Sequence, residues 1–247
     1  MRYLVLSDIH GNWEALEATL ESAQGRYDQI LCCGDLVGYG ADPNAVLDWA
    51  RENVHRVVRG NHDRACVGLE DLEWFNPAAR AATIWTQRQL TPANCEYAKN
   101  LPKGPLAIDG FQILHGSPLH EDEYLVNVAD ASEVFAYLET PINFFGHTHL
   151  QGGFMWCRQN VKAIGKPQVL RQSEMPLDLD PDCAYLINPG SVGQPRDGDA
   201  RASYVLFDPA DGFLFYHRVP YDIETAQRKI RAAGLPDLLA RRLGVGR

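Results

Sequence analysis

Three things are scarce in this chain of 247 residues. No apolar run approaches the roughly 20 residues that a membrane-spanning helix needs. The opening MRYLVLSDIHGN has an apolar stretch of only four residues before Ser7 and Asp8. That is too few for a secretory signal, and no small-residue cleavage site follows. A basic surplus is also missing. Lys and Arg number 23 against 32 Asp and Glu, a formal charge of −9, which speaks against general nucleic-acid binding through counterion release. The six cysteines contain no CxxC pair, so neither a thiolate zinc site nor a dithiol redox motif is signalled. They read as idle thiols in a reducing compartment. These absences predict a cytoplasmic protein with no membrane partner, and they leave the oligomeric state open.

What is present supports a folded enzyme-sized unit. Hydrophobic residues make up 45% of the chain, enough for a substantial core. The length suits one domain over 1–247, with an insertion. Residues 3–6 read as a buried strand, followed by a helix with Asn12 as its N-cap. QILCCGD is a second strand. Asp42-Pro43 opens a second helix as cap and first-turn proline, and HRVVRGNHD is a third strand running into a polar loop. This β-α-β-α-β order predicts parallel strands with right-handed crossovers.

Residues 65 to about 104 interrupt that rhythm with a mainly helical insertion, either extra core or a cap over a site. Trp74, Phe75 and Trp85 within it, like Tyr39 before it, are read as packing residues. Asp109-Gly110 and Asp211-Gly212 signal hairpins. A helix from about Asp130, with Glu133 three residues on, fits a capping box. Further strands are expected at 153–157, 161–164, 184–187, 204–207 and 213–219, and a helical tail from about Ile223.

Metal-capable residues collect where the strands end: Asp8 and His10, then Asp35, then Asn61-His62-Asp63, then His115, then His147 and His149. In open α/β sheets, ligands bind beyond the carboxyl ends of the strands. The mixture of carboxylate, imidazole and amide suits Mn, Fe, Co, Ni or Zn better than Ca or Mg alone. Seven ligands are too many for one catalytic ion with an open position, and about right for two ions sharing a carboxylate. FFGHTH puts His147 and His149 on one side if the strand continues. Taken alone, that pair is equally a polar strand end.

The blocks DIH, GD, GNHD, HG and GHTH, in this order and spacing, resemble the calcineurin-like metallophosphoesterase superfamily. NPGSVGQPRDGD, residues 188–199, resembles a loop of its small bacterial phosphodiesterases. The resemblance implies an α/β fold of mixed α+β type, a four-layer α/β/β/α sandwich of two mixed sheets. It implies two divalent metal ions (Mn, Fe, Ni, Co or Zn), one on Asp8, His10, Asp35 and His149, the other on Asp35, Asn61, His115 and His147. Asp35 bridges them, and the chain leaves its strand after Gly146. The implied activity is hydrolysis of a small phosphorylated substrate, a phosphodiester, by a metal-bridging hydroxide. His62 stabilises the transition state or protonates the leaving oxygen, and Asn61, His62 and Arg196 meet the substrate. Asp63 either hydrogen-bonds His62 and fixes its tautomer or caps a turn. Arg59 and Arg64, flanking GNHD, are further phosphate-contact candidates. Related activities are a phosphomonoesterase, phosphoprotein or dinucleoside polyphosphate phosphatase. A non-catalytic metal-binding scaffold is the alternative outside enzymes.

Overall fold

The computed structural model describes residues 1–165 and 172–247. Strand β1 (Tyr3–Leu6) shows how the layers form. Tyr3 and Val5 point into one apolar cluster, Leu4 and Leu6 into another. Successive strand residues face opposite ways, so a strand covered on both faces is apolar throughout. Helix α1 (Trp13–Ala23) follows, with Asn12 accepting from the Ala15 amide. Strand β2 (Gln29–Cys32), helix α2 (Pro43–Asn53) and the two-residue β3 (Arg56–Val57) complete the expected alternation. Asp42 makes no cap hydrogen bond; its carboxylate accepts from Lys229 instead.

Residues 61–99 carry three helices, α3 (Asn61–Cys66), α4 (Pro77–Gln89) and α5 (Pro92–Lys99), with a non-helical loop over 67–76. The second half adds β4 (Leu106–Ala107), β5 (Phe111–Ile113), α6 (Val128–Val134), β6 (Ile142–Phe144), β7 (Gly152–Cys157) and β8 (Asn160–Ile164). After these come β9 (Glu174–Asp178), β10 (Ala184–Asn188), β11 (Ala202–Asp208), β12 (Phe213–Val219), α7 (Ile223–Ala232) and α8 (Asp237–Leu243).

The strands form two mixed six-stranded sheets, ordered β3-β2-β1-β11-β12-β9 and β4-β5-β6-β10-β7-β8. Within them β1, β2 and β3 are mutually parallel, as are β5, β6 and β10. Tyr3, Val5, Val205 and Phe207 of the first sheet meet Phe111, Phe144 and Ile187 of the second. The rings of Phe111, Phe144 and Phe207 lie 5.2–5.8 Å apart. Helices α1 and α2 cover the outer face of the first sheet and α6 that of the second, giving the α/β/β/α layering. Among the described residues no helix is long and apolar enough to cross a membrane.

Three local expectations are corrected. Helix α6 starts at Val128, capped by Asn127 with Asp130 as the reciprocal partner, two residues before the expected start and without Glu133. Strand β9 was not foreseen, because Pro176 argues against a strand. It is tolerated because β9 pairs only with β12 at the sheet edge. The cysteines are not all idle. Ala184 pairs with Trp156 in the β10–β7 register, so Cys157 and Cys183 fall opposite each other and form a disulfide. Cys32, Cys33, Cys66 and Cys95 remain free.

Candidate metal centre

Because β1, β2 and β3 run parallel, as do β5 and β6, the loops leaving them gather at one rim of the sandwich. The first sheet sends in Asp8, His10, Asp35 and Asn61; the second sends in His115, His147 and His149. Most of these residues bend sharply out of their strands. Asp8, His10, Asp35, His147 and His149 all have φ between +52° and +65°, a left-handed conformation that costs L-residues energy. Strand β6 stops at Phe144, so strand alternation does not aim the two imidazoles of FFGHTH. The loop does. Gly60 lets another loop approach: a Cβ there would lie 2.0 Å from Asp35 Oδ1.

The result is two buried donor clusters with one shared member. Asp8, His10, Asp35 and His149 form one, Asp35, His115 and His147 the other; in each, the donor atoms lie within 4.8 Å of one another. His10 Nε2 is 3.1 Å from His149 Nε2. Asp35 Oδ2 is 3.6 Å from His10 Nε2 and 3.5 Å from His115 Nε2. Asn61 Oδ1 joins the second cluster, 3.3 Å from His115 Nε2.

The hydrogen bonds around the clusters orient them. Nδ1 of His10, His115 and His149 lies 3.0, 2.8 and 2.6 Å from the carbonyls of Val37, Cys33 and Gln194. Donation there places the proton on Nδ1 and leaves the Nε2 lone pair facing the cluster, a common arrangement behind metal-bound histidine. Asp8 Oδ2, Asp35 Oδ2 and His147 Nε2 are buried with no hydrogen-bond partner. Orphaned acceptors of this kind are costly unless something satisfies them. Burial pushes the Asp8 carboxyl up to about 7 and that of Asp35 well above the carboxylate range. It drives His10, His147 and His149 well below the usual imidazole value. Neutral imidazoles and unpartnered carboxylate oxygens fit divalent cations in both chemistry and charge.

Other sequence candidates fall into two groups. His62 belongs to the site. Its ring centroid lies 4.4 Å from Tyr39, 4.9 Å from His10 and 5.2 Å from Phe75. Burial, with Arg196 and His115 adding, lowers its pKa to about 3; its Nδ1 has no partner. Arg196 also belongs. It donates to Gln194 Oε1 at 3.0 Å and to the Tyr39 hydroxyl at 3.3 Å, and among the described residues it is in no ion pair.

Asp63 does not bond His62. Its carboxylate accepts from the amides of Asp35 (2.8 Å), Gly60 (3.0 Å) and Val37 (3.2 Å), so it clamps the Asp35 loop to the start of α3. A carboxylate so placed serves backbone donors of a turn, which corrects the tautomer-fixing role. Arg59 and Arg64 are also turned away from phosphate contact. Arg59 forms a bidentate pair with Glu121 at 2.9 Å, and Arg64 bonds Glu70 and Asp122, each at 2.6 Å. His55 and His120 are exposed, as expected.

A cavity of about 320 Å³ opens over His62, Asn61 and His147, and the segment 70–76 supplies one wall. Tyr124, not anticipated, lines it with its ring 3.9 Å from that of His147; no motif spacing marks it. Trp85 packs beside Ala79 and Ala82 against α7 and α8. Trp74 does not pack: it is 91% exposed.

Residues 1–212 match the family model described as the calcineurin-like phosphoesterase superfamily domain. The chain belongs to that superfamily. A metallophosphoesterase structure from Sphaerobacter thermophilus is 42% identical and superposes with a TM-score of 0.86, covering 100% of this chain and 99% of the other. An uncharacterized protein of Methanocaldococcus jannaschii is 37% identical over 98% of this chain and 97% of its own. A hypothetical protein of Pyrococcus horikoshii is 18% identical with a TM-score of 0.78, covering 100% and 98%, a likeness of fold. Membership in the calcineurin-like superfamily makes this a phosphoesterase hydrolase of a metal-dependent family, and the clusters built on Asp8, Asp35 and their histidines could bind its metal.

Proposed function

We propose that this phosphoesterase is a phosphodiesterase working with two divalent ions, drawn from Mn, Fe, Co, Ni and Zn. Asp35 carries the two-ion reading: one carboxylate belongs to both clusters, and its Oδ2 lacks any hydrogen-bond donor. Asp8, His10, Asp35 and His149 would hold one ion, and Asp35, Asn61, His115 and His147 the other. Ions at such a site supply Lewis-acid activation of water and of the phosphoryl group.

The chain's own groups do the rest. Arg196, free of carboxylate partners among the described residues, offers its guanidinium to phosphoryl oxygens. His62 lines the cavity beside Asn61 and His147 and serves the departing oxygen. Asp63 keeps Asp35 in place through the backbone. A diester carries one negative charge where a monoester carries up to two. One unpaired guanidinium, with Asp71 unpaired on the cavity wall among the described residues, suits the single charge.

The test is to strip the protein with a chelator, reload it with each metal in turn, and assay bis-p-nitrophenyl phosphate against p-nitrophenyl phosphate. Metal-dependent turnover that favours the diester is expected. Faster monoester hydrolysis would replace the diester reading with a phosphomonoesterase, and inertness toward both under every metal would sink the proposal.

A further inference from the structure

Among the described residues Trp74 is the most exposed of the large apolar side chains, at 91%. Its position is not arbitrary, because it lines the cavity above His62 and His147. The other aromatic residues of that cavity have ring partners. Tyr124 lies on His147, Phe75 meets His62 edge-on, and Tyr39 contacts His62 and His10. Among the described residues Trp74 makes no ring contact of its own. An indole left in water forgoes one of the largest apolar burials a side chain can make. At the lip of a site it is a stacking surface awaiting a planar group.

The polar groups beside it narrow the choice. Glu70 and Asp122 are already paired with Arg64, and Asp71, also on the cavity wall, is in no ion pair among the described residues. Among the described residues no unpaired cation lines this wall to receive a second phosphate. A neutral ring bearing N–H donors would find carboxylate acceptors here.

We propose that Trp74 is a stacking subsite for a nucleobase attached to the scissile phosphoryl group, so that the substrates are nucleoside phosphodiesters. The proposal rests on the phosphodiesterase reading above and sharpens its substrate class. Base–aromatic stacking is sequence-tolerant, and its loss typically weakens binding about tenfold.

The test uses the metal-loaded full chain and two measurements. In turnover, the kcat/KM preference for adenylyl-adenosine over glycerophosphocholine should fall about tenfold in W74A and largely survive in W74F. Y137A, which changes an exposed aromatic outside this cavity, should leave the preference intact. In calorimetry, AMP should bind about tenfold more tightly than glycerol phosphate, and W74A should erase that difference. Equal affinity of the native protein for the two monophosphates, or an AMP preference that survives W74A, overturns the subsite. A Trp74-dependent AMP preference without diester turnover upholds the subsite and refutes the diester reading alone.

Discussion

Replacing Asp63 by asparagine separates two roles for this carboxylate. In the structure Oδ2 accepts from the Asp35 and Gly60 amides and Oδ1 from the Val37 amide. An asparagine oriented to keep its oxygen at the Oδ2 position retains two bonds without their charge assistance. Its amide group then faces the Val37 N–H as donor against donor. With hydrogen bonds to charged groups worth about 1.5–3 kcal/mol each, the expected destabilisation is about 2–4 kcal/mol. The functional effect should pass through Asp35. Support lost behind a metal ligand typically costs 10- to 100-fold in metal affinity or activity, so D63N should need more metal to reach half-maximal rate, while its rate at saturating metal recovers. Metal titration by calorimetry, urea unfolding, and kcat across a metal series read these separately. An Asp63 that oriented His62 would give the reverse pattern: unchanged metal affinity and a kcat depressed at every metal concentration. That pattern would refute the clamp.

Gly60→Ala should act on the same ligand by contact alone. The φ of Gly60 is −101°, which alanine accepts, but the added Cβ would meet Asp35 Oδ1 at 2.0 Å and Asp35 N at 2.6 Å. A loss of about 1–3 kcal/mol by denaturant unfolding and weaker metal binding are expected; full binding would show that the two loops part easily. Far from the site, His217 is buried against Tyr204 and its pKa is lowered to about 4, first by burial and then by Arg26. The unfolded chain therefore takes up this proton more readily than the folded one. The contribution is whole above about pH 6.5 and lost as pH falls toward 4, a swing of about 3 kcal/mol. Urea unfolding of H217F, which keeps a ring at that position, should show a correspondingly shallower loss between pH 6.5 and 4. Parallel native and variant profiles would contradict this account.

Much of the site could be read from the chain because its chemistry is local. Asp8, His10, Asp35, His115, His147 and His149 each stand within a few residues of an apolar run, and parallel strands bring such ends together. What could not be read depends on partners distant in sequence or on the backbone itself. Arg59 and Arg64 look available for phosphate until Glu121 and Asp122, about 60 positions away, are seen to hold them. Asp63 bonds amides, which leave no mark in side-chain identity. The disulfide follows from a β7–β10 register that cysteine spacing does not encode. Pro176 hid β9, since only a strand's place at an edge makes proline acceptable there. Trp74 reads as core because a tryptophan is highly buried on average.

The left-handed turns at Asp8, His10, Asp35, His147 and His149 bear on how this protein responds to selection. At roughly 1 kcal/mol apiece, five such residues hold strain on the scale of a small domain's net stability. Glycine would relieve it at every one of them. A population selected for heat resistance alone would drift toward glycine at these positions and lose its candidate metal ligands in the process. Durability and usefulness thus pull in opposite directions at the same five residues, and a laboratory evolution campaign should see its most stable variants emerge without activity.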